Sequence, residues 1–310
     1  MNPADAGAMA DGDERAAPSA GQRPVGRWYH EPGEKPPPPC PRGERHRSPL
    51  TRPPGSPRRS ASANPPCGGG DHDPWRWLVH WSVLGEDAAR VLEAVGKTAL
   101  ARRYVLAGGT ALALVFGHRL FRDLYFFSWE PATRLDGARI LRSLRASGMV
   151  ARPVNREADQ LDVSVDGVSV TFLAYPFRFL YPPLRERGVR IADPRDVALM
   201  KALAMGRRAT ARDYVDLAYL LENGVVDLGE VIEQAKKVFR LRGESQFSER
   251  LFLQQLVYTA DLEDREEAVA LLVDPGWDFN RVEEVLRRHV TAWTRKTLRG
   301  TNGGNGGSAP

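Results

Sequence analysis

The feature that most constrains the fold is an abrupt change in composition near residue 72. The first 72 residues hold 15 of the 24 prolines and ten of the 29 glycines, and the stretch 34–70 has almost no aliphatic side chains. Such a segment cannot bury enough apolar surface to offset the conformational entropy lost on folding, so we expect residues 1–72 to be disordered. Two interpretations remain open: a basic, proline-rich arm that contacts RNA or a partner, and a solvated tail or a start codon assigned too far upstream.

The rest of the chain predicts an α+β fold, in which a mixed sheet with helices is followed by an α-helical region. We expect an α/β unit over residues 73–192, a helical unit over residues 193–299 and a flexible glycine-rich tail over residues 300–310. No internal repeat is visible, which excludes a solenoid.

Turn and cap residues mark the change from strands to helices. Asp166-Gly167 lies between two runs rich in β-branched residues and is typical of a two-residue hairpin turn. Asp193 followed by Pro194 is a typical helix start. Only helical patterns follow Tyr175, so we expect no strand beyond it.

Charge and cysteine content limit the compartment and the partners. The formal net charge of +5 divides into +2 for residues 1–72 and +3 for the remainder, which is too diffuse to indicate nucleic-acid binding. Both cysteines, Cys40 and Cys67, lie in the proline-rich segment, so a disulfide framework is excluded. The longest nearly apolar run, residues 104–117, is too short to cross a bilayer, and the first residues lack the pattern of a secretory signal. We therefore expect a cytoplasmic protein without a membrane segment.

A glycine turn and a neighbouring strand carry the chemistry. Gly108 and Gly109 end a short apolar run and open a helix, a geometry that lets a phosphate approach free backbone N–H groups, and the Thr110 hydroxyl could add a contact. Asp123 begins the next strand, on the same face as Tyr125, where a carboxylate could hold Mg²⁺. Without further evidence, the Gly108-Gly109 turn could have a purely structural role, and Asp123 could be a cap or a surface charge.

Two blocks of sequence motifs together resemble those of a known protein family. The first block is Gly-Gly-Thr-Ala-Leu-Ala-Leu at 108–114, Gly-His-Arg at 117–119 and Asp-Leu-Tyr-Phe-Phe-Ser at 123–128. The second is Asp-Val-Ala-Leu-Met-Lys at 196–201 and Arg-Asp-Tyr-Val-Asp-Leu at 212–217. In order and spacing these blocks resemble the AbiEii/AbiGii toxin family of nucleotidyltransferases, within the DNA polymerase β superfamily. The resemblance covers about residues 105–221.

The resemblance implies a minimal nucleotidyltransferase fold and the transfer of a nucleoside monophosphate from an NTP to an RNA acceptor, commonly a tRNA 3′ end. It also implies a role in toxin–antitoxin pairs or in abortive infection, a phage defence, and therefore a cognate antitoxin as partner. Residues 108–110 would cradle the triphosphate, and Asp123 would bind Mg²⁺. Lys201 would bind the nucleotide phosphates, and Asp213 would orient or deprotonate the acceptor hydroxyl.

Structural alternatives remain open for most of these residues. Lys201 could be a solvated helix residue, and Asp213 could be a charge favoured by the helix dipole. Asp216 could serve the site or pair with Arg212 one turn away. His118 and Arg119 could reach phosphates, or their positive charges could complement the C-terminal end of the short helix that precedes them.

One position departs from the family pattern. The family carries two carboxylates as Asp-x-Asp on one strand face, whereas this chain has Asp123-Leu124-Tyr125. A phenol that is protonated at pH 7 is a poor ligand for Mg²⁺. The later strand, where a third carboxylate is sometimes found, offers only Ser169 and Thr171. Two acids near the hairpin turn are candidate substitutes for the missing carboxylate: Asp162 and Asp166.

Three functional hypotheses follow. The first is a nucleotidyltransferase with full or residual activity and a relocated metal ligand. The second is a catalytically inactive relative that keeps the pocket to bind a nucleotide, an RNA or a protein. The third is a helical interaction scaffold built on residues 227–298, whose charges have the spacing of a solvated helix face.

Overall fold

The computed structural model describes three stretches of the chain: residues 79–121, 123–207 and 209–302. The expected disorder of residues 1–72 lies outside the described residues, as do residues 303–310 of the expected tail. Residues 300–302, which were assigned to the flexible tail, instead continue the last helix. The division into two units at residue 192 stays a prediction.

Seven strands form one mixed sheet in the order β3-β4-β5-β2-β1-β7-β6. The strands β2 and β5, and β1 and β7, are parallel, and the other neighbours are antiparallel. The strands are β1 Tyr104–Leu106, β2 Leu124–Ser128, β3 Ala151–Arg156, β4 Gln160–Val165, β5 Val168–Leu173, β6 Leu184–Glu186 and β7 Val189–Ile191. A separate two-stranded ribbon consists of β8 Arg240–Leu241 and β9 Glu244–Ser245.

The described residues also form nine α-helices, most of them in the second half of the chain. They are α1 Glu86–Gly96, α2 Gly108–Phe116, α3 Gly137–Ala146, α4 Pro194–Met205, α5 Ala211–Glu222, α6 Leu228–Val238, α7 Glu249–Val257, α8 Arg265–Ala270 and α9 Phe279–Asn302. The fold is therefore α+β with C-terminal helices, as expected. Among the described helices, none is both long and apolar enough to cross a membrane.

Cap and turn chemistry explains where the clearest elements begin and end. The Asp193 carboxylate accepts a hydrogen bond from the Arg195 backbone N–H and starts α4. The β4–β5 hairpin turns through Asp166 and Gly167, both at positive φ, as the sequence predicts.

The expectation that strands end at Tyr175 is wrong. Four strands of the described chain follow it: the β6–β7 hairpin, in which Ile191 of β7 pairs with Leu106 of β1, and the β8–β9 ribbon. These strands have two or three residues each, too few to show a periodic pattern. The β6–β7 turn uses Arg187 and Gly188 at positive φ, and an arginine there gives no turn signal.

The functional residues lie where α2, α4 and α5 pack together beside the sheet. Nearly every residue of α2 and α4 is buried. The helix α2 contacts both α4 and α5, and Gly117 ends α2 in the left-handed conformation. The chain then turns back to β2, so the start of α2 and the start of β2 are held side by side.

Candidate functional site

The start of α2 needs glycine at two positions for two different reasons. Gly108 has a φ of +71°, which favours glycine, and open space surrounds the position of a Cβ atom. Gly109 is buried, and a Cβ atom there would lie 2.0 Å from Arg119 Nη2 and 2.9 Å from Asp216 Oδ2. Gly108 therefore sets the backbone of the turn, and Gly109 makes room for a buried ion pair.

Thr110 connects the start of α2 to the start of β2. Its hydroxyl donates a hydrogen bond of 2.7 Å to the backbone carbonyl of Asp123, and its side chain is fully buried. The hydroxyl expected to contact a phosphate is thus directed to the backbone. In this position Thr110 fixes the half-buried Asp123 beside the glycine turn.

A buried group of charged side chains lies behind the turn. We call it the Asp216 cluster; its members are His118, Arg119, Lys201, Asp213 and Asp216. The Asp216 carboxylate is fully buried and accepts hydrogen bonds from Arg119 Nε at 2.7 Å and Arg119 Nη2 at 2.8 Å. His118 Nε2 lies 2.9 Å from the same carboxylate, and so does Lys201 Nζ.

The charges of the cluster decide the ionisation of Asp216. Burial alone would raise the pKa of this carboxyl, but the Arg119 and Lys201 charges and the hydrogen bond from His118 outweigh it and hold the pKa well below its usual range. Asp216 is therefore a carboxylate at neutral pH, and Arg119 binds it in a bidentate contact.

Lys201 joins Asp216 to the start of α5. Its ammonium lies 2.5 Å from Asp213 Oδ1, and the Asp213 Oδ2 atom accepts hydrogen bonds from the backbone N–H and the hydroxyl of Thr210, at 3.0 and 3.1 Å. Asp213 is thus the N3 residue of a capping box and also binds a lysine, which is more than the dipole-favoured charge that was the structural alternative for it.

His118 and Arg119 do neither of the two things expected of them. Both point into the protein and bind Asp216, so they neither reach the open side of the turn nor complement the end of α2. Burial lowers the pKa of His118 more than its hydrogen bond to Asp216 raises it, so the imidazole is neutral. Within the described part of the chain, His118 Nδ1 and Arg119 Nη1 are buried without a hydrogen-bond partner.

The pairing of Asp216 with Arg212 is also wrong. Asp216 binds Arg119, which lies 97 positions earlier in the chain, in preference to the arginine one helical turn away. The reason is tertiary: α5 turns Asp216 toward α2, where Gly109 leaves room for the Arg119 guanidinium.

A row of three side chains crosses the sheet next to Asp123. Tyr125 of β2 pairs with Thr171 of β5, which pairs with Asp162 of β4, so the three lie on one face. We call them the sheet-face row. The Thr171 hydroxyl donates to Asp162 Oδ1 at 2.8 Å, and Gln160 Nε2 contacts both oxygens of that carboxylate at 3.1 and 3.0 Å.

Of the two acids that were candidate substitutes for the missing carboxylate, one belongs to the sheet-face row and the other does not. Asp162 lies in the row, two strands from Tyr125. Asp166 lies in the hairpin turn, where its Oδ1 atom accepts a hydrogen bond of 2.9 Å from the Val150 backbone N–H. The exposed Ser169 lies two residues before Thr171 on β5.

The oxygens of this face do not fit a pair of divalent metal ions. Burial, followed by the negative charge of Asp123, raises the pKa of the Tyr125 phenol to about 12, so Tyr125 is protonated and uncharged at neutral pH. In residues 79–121, 123–207 and 209–302, no three His, Cys, Asp or Glu side chains come together in a group that could hold a metal ion. Two Mg²⁺ ions at one reacting phosphate require more anionic oxygens than this face supplies.

The chain matches a known protein family over more than half of its length. Residues 90–288 match the family described as "Nucleotidyl transferase AbiEii toxin, Type IV TA system". The chain is also 32% identical over 209 residues to protein aq_aa25 of Aquifex aeolicus (strain VF5), with 67% of this chain and 96% of that protein covered. The chain belongs to the AbiEii nucleotidyltransferase toxin family.

Two solved structures are similar at lower identity. One is JHP933 from Helicobacter pylori, with 16% identity, a TM-score of 0.43, and 71% of this chain and 97% of that chain covered. The other is MenT4, a nucleotidyltransferase toxin from Mycobacterium tuberculosis H37Rv, with 17% identity, a TM-score of 0.47, and 66% of this chain and 82% of that chain covered.

Proposed function

We propose that this protein binds an NTP at the start of α2 and transfers its nucleoside monophosphate to an RNA acceptor at a strongly reduced rate. The observation that carries the reduced rate is Tyr125, a protonated phenol that lies two residues from Asp123 on the sheet face. The reaction class, nucleotidyl transfer, is inferred from the family to which the chain belongs. We further propose that the acceptor is tRNA-like and that a cognate antitoxin binds the protein.

The turn at the start of α2 is the binding element in this proposal. The first backbone N–H groups of α2 have no partner within the helix, and the helix dipole adds positive potential there. Gly108 is only half-buried, so a phosphate can approach these groups. Mg²⁺ arriving with the nucleotide would have Asp123 as its single carboxylate from the Asp-x-Asp position.

Asp213 has a narrower role in the proposal than the family resemblance implied. Its carboxylate already accepts hydrogen bonds from Thr210 and binds the Lys201 ammonium. To deprotonate an acceptor hydroxyl it would have to give up one of these contacts. We propose that Asp213 orients the acceptor through the position of α5.

The second candidate function is a catalytically inactive binding module, and the same tyrosine favours it. Such a protein would bind the nucleotide or RNA without turnover. The two candidates differ in one measurable property, which is whether the natural chain labels RNA at all.

The test is RNA labelling by the full chain with Mg²⁺, each labelled NTP in turn and total tRNA. The variants are Tyr125→Asp, which adds the carboxylate, and the matched control Tyr125→Phe, which removes only the hydroxyl. We expect Tyr125→Asp to label RNA about 100-fold faster than the natural chain, because a charge-stabilising group is worth about that much in rate. Tyr125→Phe should match the natural chain.

Each result decides between the candidates. Equal labelling by the natural chain and Tyr125→Asp would overturn the proposed impairment. Labelling by Tyr125→Asp with none by the natural chain would favour the binding module. Absence of both labelling and NTP binding in all three proteins would refute the proposed function.

A further inference from the structure

Lys201, the cation that the family resemblance assigns to the nucleotide phosphates, is already neutralised. Its ammonium lies 2.5 Å from Asp213 and 2.9 Å from Asp216 and is almost fully buried. In the Asp216 cluster the two positive charges of Arg119 and Lys201 balance the two carboxylates, and His118 is neutral. The cluster therefore has no net positive charge to offer to a phosphate.

Arg212 has the properties that Lys201 lacks. It lies in the first turn of α5, one residue before Asp213 and one helical turn before Asp216, whose carboxylate packs against Gly109. Its side chain is half-buried. In the stretches that the structure describes, Arg212 has neither an ion pair nor a side-chain hydrogen bond.

One further observation indicates that the Arg212 guanidinium lies near the site. Burial raises the pKa of the Tyr125 phenol most strongly, and the Arg212 charge acts in the opposite direction, so the guanidinium lies near the sheet-face row. A cation at the N-terminus of a helix is disfavoured by the helix dipole, so contact with a bound anion would stabilise Arg212 at this position.

We propose that Arg212, and not Lys201, is the side chain that binds the phosphates of the nucleotide. The assignment rests on the proposed function, because it names a contact within the same NTP site. The planar guanidinium presents paired N–H donors that match two phosphate oxygens, whereas an ammonium acts as a point charge. Lys201 is then a positioning residue that fixes Asp213 and Asp216.

The experiment measures binding of ATP, GTP, CTP and UTP to the full chain by calorimetry in EDTA, so that no metal contributes. The variants are Arg212→Gln and Arg212→Lys. The matched control is Arg142→Gln, which removes the same charge from an exposed position on α3. The best-bound NTP is then compared with its nucleoside monophosphate.

We expect Arg212→Gln to weaken NTP binding about tenfold or more, and Arg212→Lys to weaken it less. The loss should be smaller for the nucleoside monophosphate, which presents fewer phosphate oxygens. Arg142→Gln should bind as the natural chain does. Lys201→Met should lower the melting temperature by leaving Asp213 and Asp216 with a single cation between them.

The failures of the two proposals are distinguishable. If the natural chain binds an NTP and Arg212→Gln binds it equally well, the assignment of Arg212 is overturned while the proposed function stands. If the natural chain binds no NTP, either in EDTA or with Mg²⁺ added, the proposed function fails and the assignment fails with it. An equal loss for triphosphate and monophosphate would also overturn a phosphate contact.

Discussion

The Asp216 cluster and the sheet-face row lie on neighbouring parts of one site and differ in how they handle charge. In the cluster, the fully buried carboxylate contacts three basic side chains, and the charges balance. In the row, the position two residues after Asp123 carries a protonated phenol, and the one carboxylate, Asp162, accepts hydrogen bonds from Thr171 and Gln160.

Because of this difference, we expect the two groups of side chains to contribute unequally to the stability of the fold. Removing one member of a buried ion pair leaves an uncompensated buried charge, so we expect such a change in the cluster to destabilise the fold strongly. A tyrosine at position 125 is uncharged and leaves no charge unpaired. We therefore expect position 125 to accept an uncharged side chain without loss of the fold.

The largest effect on stability is expected from breaking the cluster. Asp216→Asn leaves Arg119 and Lys201 buried with one carboxylate between them, and we expect the free energy of unfolding to fall by about 3–5 kcal/mol. Denaturant unfolding of the full chain measures it. Tyr125→Phe, in the row, should change the same quantity by less than about 1 kcal/mol.

A matched control keeps that comparison specific to burial. Glu233→Gln breaks an exposed ion pair with Lys236 and should cost no more than about 0.5 kcal/mol. If Asp216→Asn and Glu233→Gln cost the same, the cluster is not what holds these helices together.

Lowering the pH is expected to reduce the free energy of unfolding by a smaller amount. The folded-state pKa of His118 lies below 6.5, so below that pH the unfolded chain takes up a proton that the folded chain does not. This contribution to stability is complete above pH 6.5 and is lost as the pH falls, by up to about 1.4 kcal/mol per pH unit. The free energy of unfolding between pH 8 and pH 5.5, for the natural chain and for His118→Gln, measures it.

The expected result is a shallower pH dependence for His118→Gln than for the natural chain. His289 is the matched control, because it is a half-exposed histidine on α9. If His289→Gln flattens the pH dependence as much as His118→Gln does, burial of His118 in the cluster is not the cause.

Local chemistry explains how much of the fold the sequence predicted. The start of α4 was predicted correctly, because the Asp193 carboxylate caps the helix and Pro194 suits its first position. The β4–β5 hairpin was predicted from its turn. The strands β6 and β7 were missed, because a three-residue strand is defined by the neighbour it pairs with and not by its own pattern.

The site was less predictable, because its contacts join distant parts of the chain. Asp216 stands between Val215 and Leu217 in a helix that is otherwise almost entirely apolar on its buried side, which was a signal for a buried charge. Nothing in the sequence named Arg119 as its partner. The position of Asp162 opposite Thr171 likewise required the strand order, which a single sequence does not contain.

The central claim is that Tyr125 leaves the sheet face with too few anionic oxygens to hold a pair of divalent metal ions. The most direct measurement is Mn²⁺ binding, followed by electron paramagnetic resonance without nucleotide, for the natural chain, Tyr125→Asp and Tyr125→Phe. We predict that Tyr125→Asp binds Mn²⁺ about tenfold tighter than the other two, since hard divalent cations prefer carboxylate ligands. Equal Mn²⁺ affinity in the natural chain and Tyr125→Asp would contradict the claim.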